Sequence, residues 1–82
     1  MIIKYPLSTE KTIRLMESQN TLLFIVDRAS TKAQIKTEIE ARFSAKVVSV
    51  NTGIGADGEK KAYVKFAAQT PAIDIATKLG LM

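Results

Sequence analysis

The sequence predicts an α+β fold: a small, mostly antiparallel four-stranded sheet with helices packed on its faces, in the order β-α-β-α-β-β-α. Two observations carry this. Up to about residue 46, runs of β-branched and apolar residues alternate with runs of helical spacing, the pattern of strands joined through helices. Two strand-like runs then follow each other directly across Gly53-Ile54-Gly55-Ala56-Asp57-Gly58, which marks a hairpin rather than another crossover. The length of 82 residues sets the scale: one domain, residues 1–82, with a modest core.

Ile2-Ile3-Lys4-Tyr5 reads as a short edge strand that Pro6 ends by removing an amide donor. Ser8-Thr9-Glu10 supplies a hydroxyl cap and an acid for the first turn of a helix over about Thr9 to Glu17. Ile13 and Met16 form its buried face, and Ser18-Gln19-Asn20 closes it. Thr21 to Val26 is apolar without alternation, which predicts a strand covered on both faces. Thr31-x-x-Gln34 fits a capping box. The helix behind it carries Ile35, Ile39 and Phe43 as one apolar stripe, with Glu38–Arg42 and Lys36–Glu40 as ion pairs four residues apart.

Lys46 to Ile54 reads as a strand with Val48 and Val50 on one face and Ser49 and Asn51 on the other. Asp57-Gly58 is a hairpin dipeptide. On the returning strand, Lys60 to Ala67, Ala62, Val64 and Phe66 point one way and Lys61, Tyr63 and Lys65 the other. Thr70-Pro71 is a cap followed by proline at the first helical position. The last short helix presents Ile73, Ala76 and Leu79 and stops at Gly80. No internal repeat or low-complexity segment interrupts this order.

Composition narrows the chemistry. The chain has no cysteine and no histidine, which rules out disulfides and thiolate metal sites and removes the commonest general base. Twelve basic residues against eight acidic ones give a net charge of +4, and the isoelectric point is near 9.6. A basic surface of this kind meets nucleic acid or another polyanion, or is simply solvated. The longest apolar run, Leu22 to Val26, is far short of the roughly 20 residues of a membrane span. MIIKYPLS lacks a signal core with a cleavage site. A soluble, cytoplasmic protein is expected.

The closing hairpin is the first candidate site. Lys61, Tyr63 and Lys65, with Ser49 and Asn51 beside them, combine phosphate-neutralising charges with a ring that stacks on a base or ribose. Asn51 and Thr52 offer neutral donors and acceptors to backbone or 2′-hydroxyl groups. The same pattern also fits an ordinary solvent-exposed strand. Ser8, Thr9 and Lys11 at a helix start form a candidate anion site or a plain cap. Lys32 and Lys36 share one helix face and extend the basic surface, among acidic neighbours. Gly53, Gly55 and Gly58 spell GxGxxG, but a strand follows rather than a helix, so dinucleotide binding is excluded. Glu38 and Glu40 are two apart and do not share a helix face as an acid/base pair would.

Several blocks, in order, carry a resemblance: Ser8-Thr9-Glu10-Lys11, Asn20-Thr21, Thr31-Lys32-Ala33-Gln34-Ile35-Lys36, Val50-Asn51-Thr52 and Lys60-Lys61-Ala62-Tyr63-Val64. Together they resemble the large-subunit ribosomal protein family number twenty-three, found at the rim of the polypeptide exit tunnel, over about Ile2 to Ala67. The resemblance implies an α+β domain that binds large-subunit ribosomal RNA. It also implies neighbouring ribosomal proteins as partners, and a share in the docking platform for the signal recognition particle and other exit-site factors, trigger factor in bacteria among them. Asn51, Thr52, Lys60, Lys61 and Tyr63 match the segments taken as the RNA side. Glu10 matches the docking glutamate of bacterial members, with Arg14 and Glu17 further along the same helix. Where bacterial members carry a long basic loop, Gly53 to Glu59 is a short turn, which resembles the archaeal-type form and removes a tunnel-lining extension.

No cofactor, small-molecule ligand, metal or membrane partner is implied, and no catalytic role. The competing expectation is a regulatory or oligomerising α+β module that self-associates through an open sheet edge. An enzyme would have to work with Lys, Asp, Glu, Tyr or Ser alone, and no such constellation is visible.

Overall fold

A computed structural model describes residues 2–80. The elements are β1 (Ile3–Pro6), α1 (Glu10–Gln19), β2 (Thr21–Val26), α2 (Lys32–Phe43), β3 (Val47–Ile54), β4 (Lys60–Phe66) and α3 (Ala72–Lys78). The sheet order is β1-β2-β4-β3 and every neighbouring pair is antiparallel. The expected fold class and element order are both present.

One face of the sheet holds the main core. Leu22, Phe24 and Val26 of β2, Ala62, Val64 and Phe66 of β4, and Val47 and Val50 of β3 meet Met16 of α1, Ile35 and Ile39 of α2, and Ala72, Ile75 and Ala76 of α3. Phe24 and Phe43 stack with ring centroids 6.4 Å apart. All six residues of β2 are buried, as the unbroken apolar run requires. Leu23 and Ile25 point away from the main core, beside Tyr63, Lys61 and Tyr5 on the flanking strands. Those long neighbours leave Leu23 and Ile25 7% and 2% exposed.

Two capping boxes start the longer helices. The Thr9 and Thr31 hydroxyls accept from the backbone N–H of Thr12 and Gln34, and the side chains of Thr12 and Gln34 accept from the backbone N–H of Thr9 and Thr31. Both helices end on a left-handed residue, Asn20 (φ 53°) and Ser44 (φ 50°).

Asn20 joins distant parts of the chain. Its Nδ2 donates to the carbonyls of Phe66, Ala67 and Thr70 at 3.0, 3.0 and 3.1 Å. Its Oδ1 accepts the Ala72 N–H at 2.6 Å, capping α3 from 52 residues away in sequence. This corrects the expected Thr70 cap: Pro71 is the N-cap and gives no side-chain bond, while the Thr70 hydroxyl accepts from Lys46 N. Anchoring Ala72 on the core also sets the rotation of α3. Ala72, Ile75, Ala76 and Leu79 face inward, and Ile73, expected in the core, is 48% exposed.

Three further expectations shift. Val48 is 58% exposed, whereas Val47 and Val50 are buried. The register slips between Val47, opposite Phe66, and Ser49, opposite Lys65, so Val48 is the extra residue of a β-bulge and is turned out. Ile13 is 38% exposed and lines a narrow cleft with Leu7, Met16 and Ala76; Thr12 takes the buried place beside Met16. Glu38–Arg42 forms at 3.0 Å, but Lys36–Glu40 does not, because the Glu40 carboxylate accepts the Val47 N–H at the start of the bulge.

Candidate nucleic-acid interface

The second face of the sheet is built by strand alternation. Ser49, Asn51 and Gly53 of β3 lie opposite Lys65, Tyr63 and Lys61 of β4, which lie opposite Thr21, Leu23 and Ile25 of β2. Tyr5 continues the row on β1, opposite Ile25. The sequence therefore locates the Lys61–Tyr63–Lys65 ladder correctly, with Ser49 and Asn51 at its side. Among the described residues the ion pairs are Glu10–Arg14 and Glu38–Arg42, so neither lysine of the ladder has a carboxylate partner. The face thus combines two lysines outside any ion pair, a half-buried aromatic ring and neutral polar groups.

Thr52 and Lys60 do not join it. Thr52 lies opposite Ala62 and Lys60 opposite Val26, both on the core-side face, and the Lys60 ammonium donates to the Ser30 carbonyl. Adjacent residues on a strand point to opposite faces, so Lys60-Lys61 and Asn51-Thr52 each contribute one member. Lys32 and Lys36 are exposed on α2, an element placed against the core-side face. They lie apart from the second face, on a helix that also carries Glu38 and Glu40.

At the helix start, Thr9 is committed to capping, while Ser8 and Lys11 are exposed. Lys11 is one turn before Leu15, which borders the second face. Glu10, Arg14 and Glu17 recur at helical spacing on the exposed side of α1, and the Arg14 guanidinium donates to Glu10 at 2.6 Å. The expected docking residues are therefore one contiguous stripe, turned away from Thr12 and Met16.

The hairpin turn is compact. Gly55 N donates to the Glu59 carbonyl and Gly58 N to the Gly55 carbonyl, both at 2.9 Å. Gly58 has φ 82°, a conformation glycine adopts without strain. A Cβ on Gly55 would lie 2.8 Å from Asp57 Oδ1 and 3.2 Å from Lys61 Nζ, so glycine there lets Lys61 fold over the turn.

Two further contributions have no counterpart among the sequence expectations. Tyr5 is 45% exposed, and its hydroxyl donates to the Glu59 carboxylate at 3.0 Å. That bond, reinforced by the nearby negative charges of Glu59 and Asp57, raises the phenol pKa above its usual 10.0. Leu15 and Gln19 of α1 close one end of the face, beside Thr21, Ser49, Asn51, Tyr63 and Lys65. Both effects depend on strand register and helix placement, which carry no local sequence signature.

Among the described residues no cluster of acidic side chains could hold a metal ion, and no helix is long and apolar enough to cross a membrane. Fold, charge and side-chain arrangement define a small basic α+β domain with one polar, lysine- and tyrosine-bearing sheet face. The family model described as ribosomal protein L23 matches residues 1–73. The chain is 47% identical over 81 residues to the large ribosomal subunit protein uL23 of Trypanosoma brucei brucei, covering 99% of this chain and 49% of that protein. It is 44% identical over 81 residues to the protein of the same name from Tetrahymena thermophila, covering 99% of this chain and 54% of that protein. This chain belongs to the ribosomal protein L23 family. It spans about half the length of the curated relatives it matches.

Proposed function

We propose that this chain is a structural constituent of the large ribosomal subunit, in the cytoplasm, and that it binds large-subunit ribosomal RNA through the Lys61–Tyr63–Lys65 face. The observation that carries the reading is the pairing of family membership with two lysines and a tyrosine on one sheet face without carboxylate partners. Lys61 and Lys65 neutralise phosphates, and Asn51 and Ser49 bond to sugar or backbone oxygens. Lys11 extends the contact from α1. Recognition is then mainly of RNA shape, as expected for a surface that approaches a folded helix. Ser8 and Thr9 bring the helix start to the rim, while Thr52, Lys60, Lys32 and Lys36 reach RNA only where it wraps to the core-side layer. The role is structural, not catalytic.

The place in the subunit is the rim of the polypeptide exit tunnel, beside other ribosomal proteins. There the exposed Glu10–Arg14–Glu17 stripe is the docking element for the signal recognition particle or another exit-site factor. An exposed pair such as Glu10–Arg14 contributes little to stability, so either partner is free to exchange for a charge on an incoming protein. The five-residue turn 55–59 adds no tunnel-reaching loop.

The test is binding to a matching large-subunit rRNA fragment against an unrelated structured RNA over a salt series. Preference for the rRNA fragment, with log affinity falling linearly in log salt, is the expected outcome. Equal, weak binding to both RNAs contradicts it and leaves the interaction-module reading. For the docking stripe, Glu10→Lys is expected to weaken factor binding to ribosomes without changing rRNA affinity; unchanged factor binding removes Glu10 from that role.

A further inference from the structure

The second sheet face is not flat. At the end away from the hairpin turn, Leu15 and Gln19 of α1, Ser49 and Asn51 of β3, and Tyr63 and Lys65 of β4 surround an open hollow of about 400 Å³. Within the protein, no hydrogen bond engages the side chains of Gln19, Ser49, Asn51 or Tyr63 among the described residues, although neighbouring polar groups are fully used: Asn20 makes four side-chain bonds and the Thr21 hydroxyl bonds to the Gln19 carbonyl. The lining of one hollow therefore carries two carboxamides, two hydroxyls and an ammonium without internal partners, and no acidic residue.

We infer that this hollow is a pocket for a single unstacked RNA nucleotide. The inference rests on the RNA-binding reading above and names what that face holds. Its volume falls in the 300–1,000 Å³ range of small-ligand clefts, a scale that suits one nucleotide and excludes a duplex. Tyr63 is half-buried, so its ring is braced by neighbours and offers a stacking platform with Leu15 as the opposing apolar contact. Asn51, directly opposite Tyr63, and Gln19 each carry a donor and an acceptor, the pairing that reads a base edge. Lys65, opposite Ser49, sits where the nucleotide's phosphate emerges.

Two RNA hairpins of equal length are the probes, one fully paired and one with a single bulged 2-aminopurine. At fixed ionic strength the bulged hairpin is expected to bind about tenfold more tightly, the scale of one base–aromatic stack, with a change in 2-aminopurine emission as the base enters. Asn51→Ala and Gln19→Ala each reduce that preference by removing a base-edge contact; because neither side chain makes a hydrogen bond within the protein, both variants keep the native circular dichroism. Tyr63→Phe retains the preference and Tyr63→Ala loses it. Equal affinity for both hairpins overturns the pocket. If that equal binding still falls with salt and weakens on Lys61→Ala, a residue outside the hollow, the RNA-binding face stands without it. No binding to either hairpin overturns both readings.

Discussion

Asn20→Ala is the substitution that most sharply tests how the fold is held together. The Asn20 side chain donates to three carbonyls on the segment after β4 and accepts the first N–H of α3. Its amide has two hydrogens, so about two donated bonds are lost, each contributing about 1 kcal/mol. Ala72 is fully buried, and its N–H is left without a partner at a cost of about 1–3 kcal/mol. Alanine must also adopt φ 53°, which costs about 1–2 kcal/mol. The combined loss is about 4–7 kcal/mol, a large part of the about 5–15 kcal/mol typical of a domain. Asn20→Gly removes the same bonds but tolerates the left-handed backbone, so it is expected to be about 1–2 kcal/mol more stable than Asn20→Ala. Urea unfolding followed by circular dichroism at 222 nm measures both. A loss below about 1 kcal/mol for Asn20→Ala, against the about 4–7 kcal/mol built from these hydrogen bonds and the left-handed backbone, would refute the reasoning.

Three further outcomes are expected. Val50→Ala costs about 1.5–3 kcal/mol by lost burial, whereas Val48→Ala, at the bulge, stays within about 0.5 kcal/mol; comparable losses in urea melts would contradict the register. Glu40→Ala loses a charge-assisted bond to the Val47 N–H, about 1.5–3 kcal/mol, and speeds amide exchange at Val47, while Glu38→Ala removes an exposed helix pair worth about 0.2–0.5 kcal/mol. Tyr5, whose phenol pKa is raised by its bond to Glu59, ionises at higher pH than an unfolded tyrosine. Its stabilising contribution is complete below pH 10 and is lost as pH rises through the folded value. Ultraviolet titration should show the Tyr5 transition moving back toward 10 in Glu59→Gln, and no movement would remove the bond as the cause.

Much of this molecule was legible in the sequence because its signals are local. The capping box at Thr31, the apolar stripe of Ile35 and Ile39, the continuous burial of β2 and the alternation of Lys61, Tyr63 and Lys65 each follow from neighbours within a few residues. What was not legible depends on contacts between distant segments. The bulge that turns Val48 outward is a mismatch between β3 and β4, and no run of valines announces it. Thr70-Pro71 has the form of a cap, yet Asn20 reaches Ala72 first and rotates α3 so that Ile73 faces solvent. Lys60-Lys61 and Asn51-Thr52 read as pairs, but each pair is split between the two faces. Gln19 and Leu15 enter the second face only because α1 lies beside the first residues of β2.

The central claim is that Lys61 and Lys65 face ribosomal RNA and neutralise its phosphates. The most direct test compares the wild-type chain with Lys61→Ala/Lys65→Ala on the same large-subunit rRNA fragment, measuring affinity across a salt series. Removing two phosphate contacts should weaken binding and flatten the plot of log affinity against log salt by about 1.5–2. An unchanged affinity and slope would contradict the account and place the RNA on another surface of the domain.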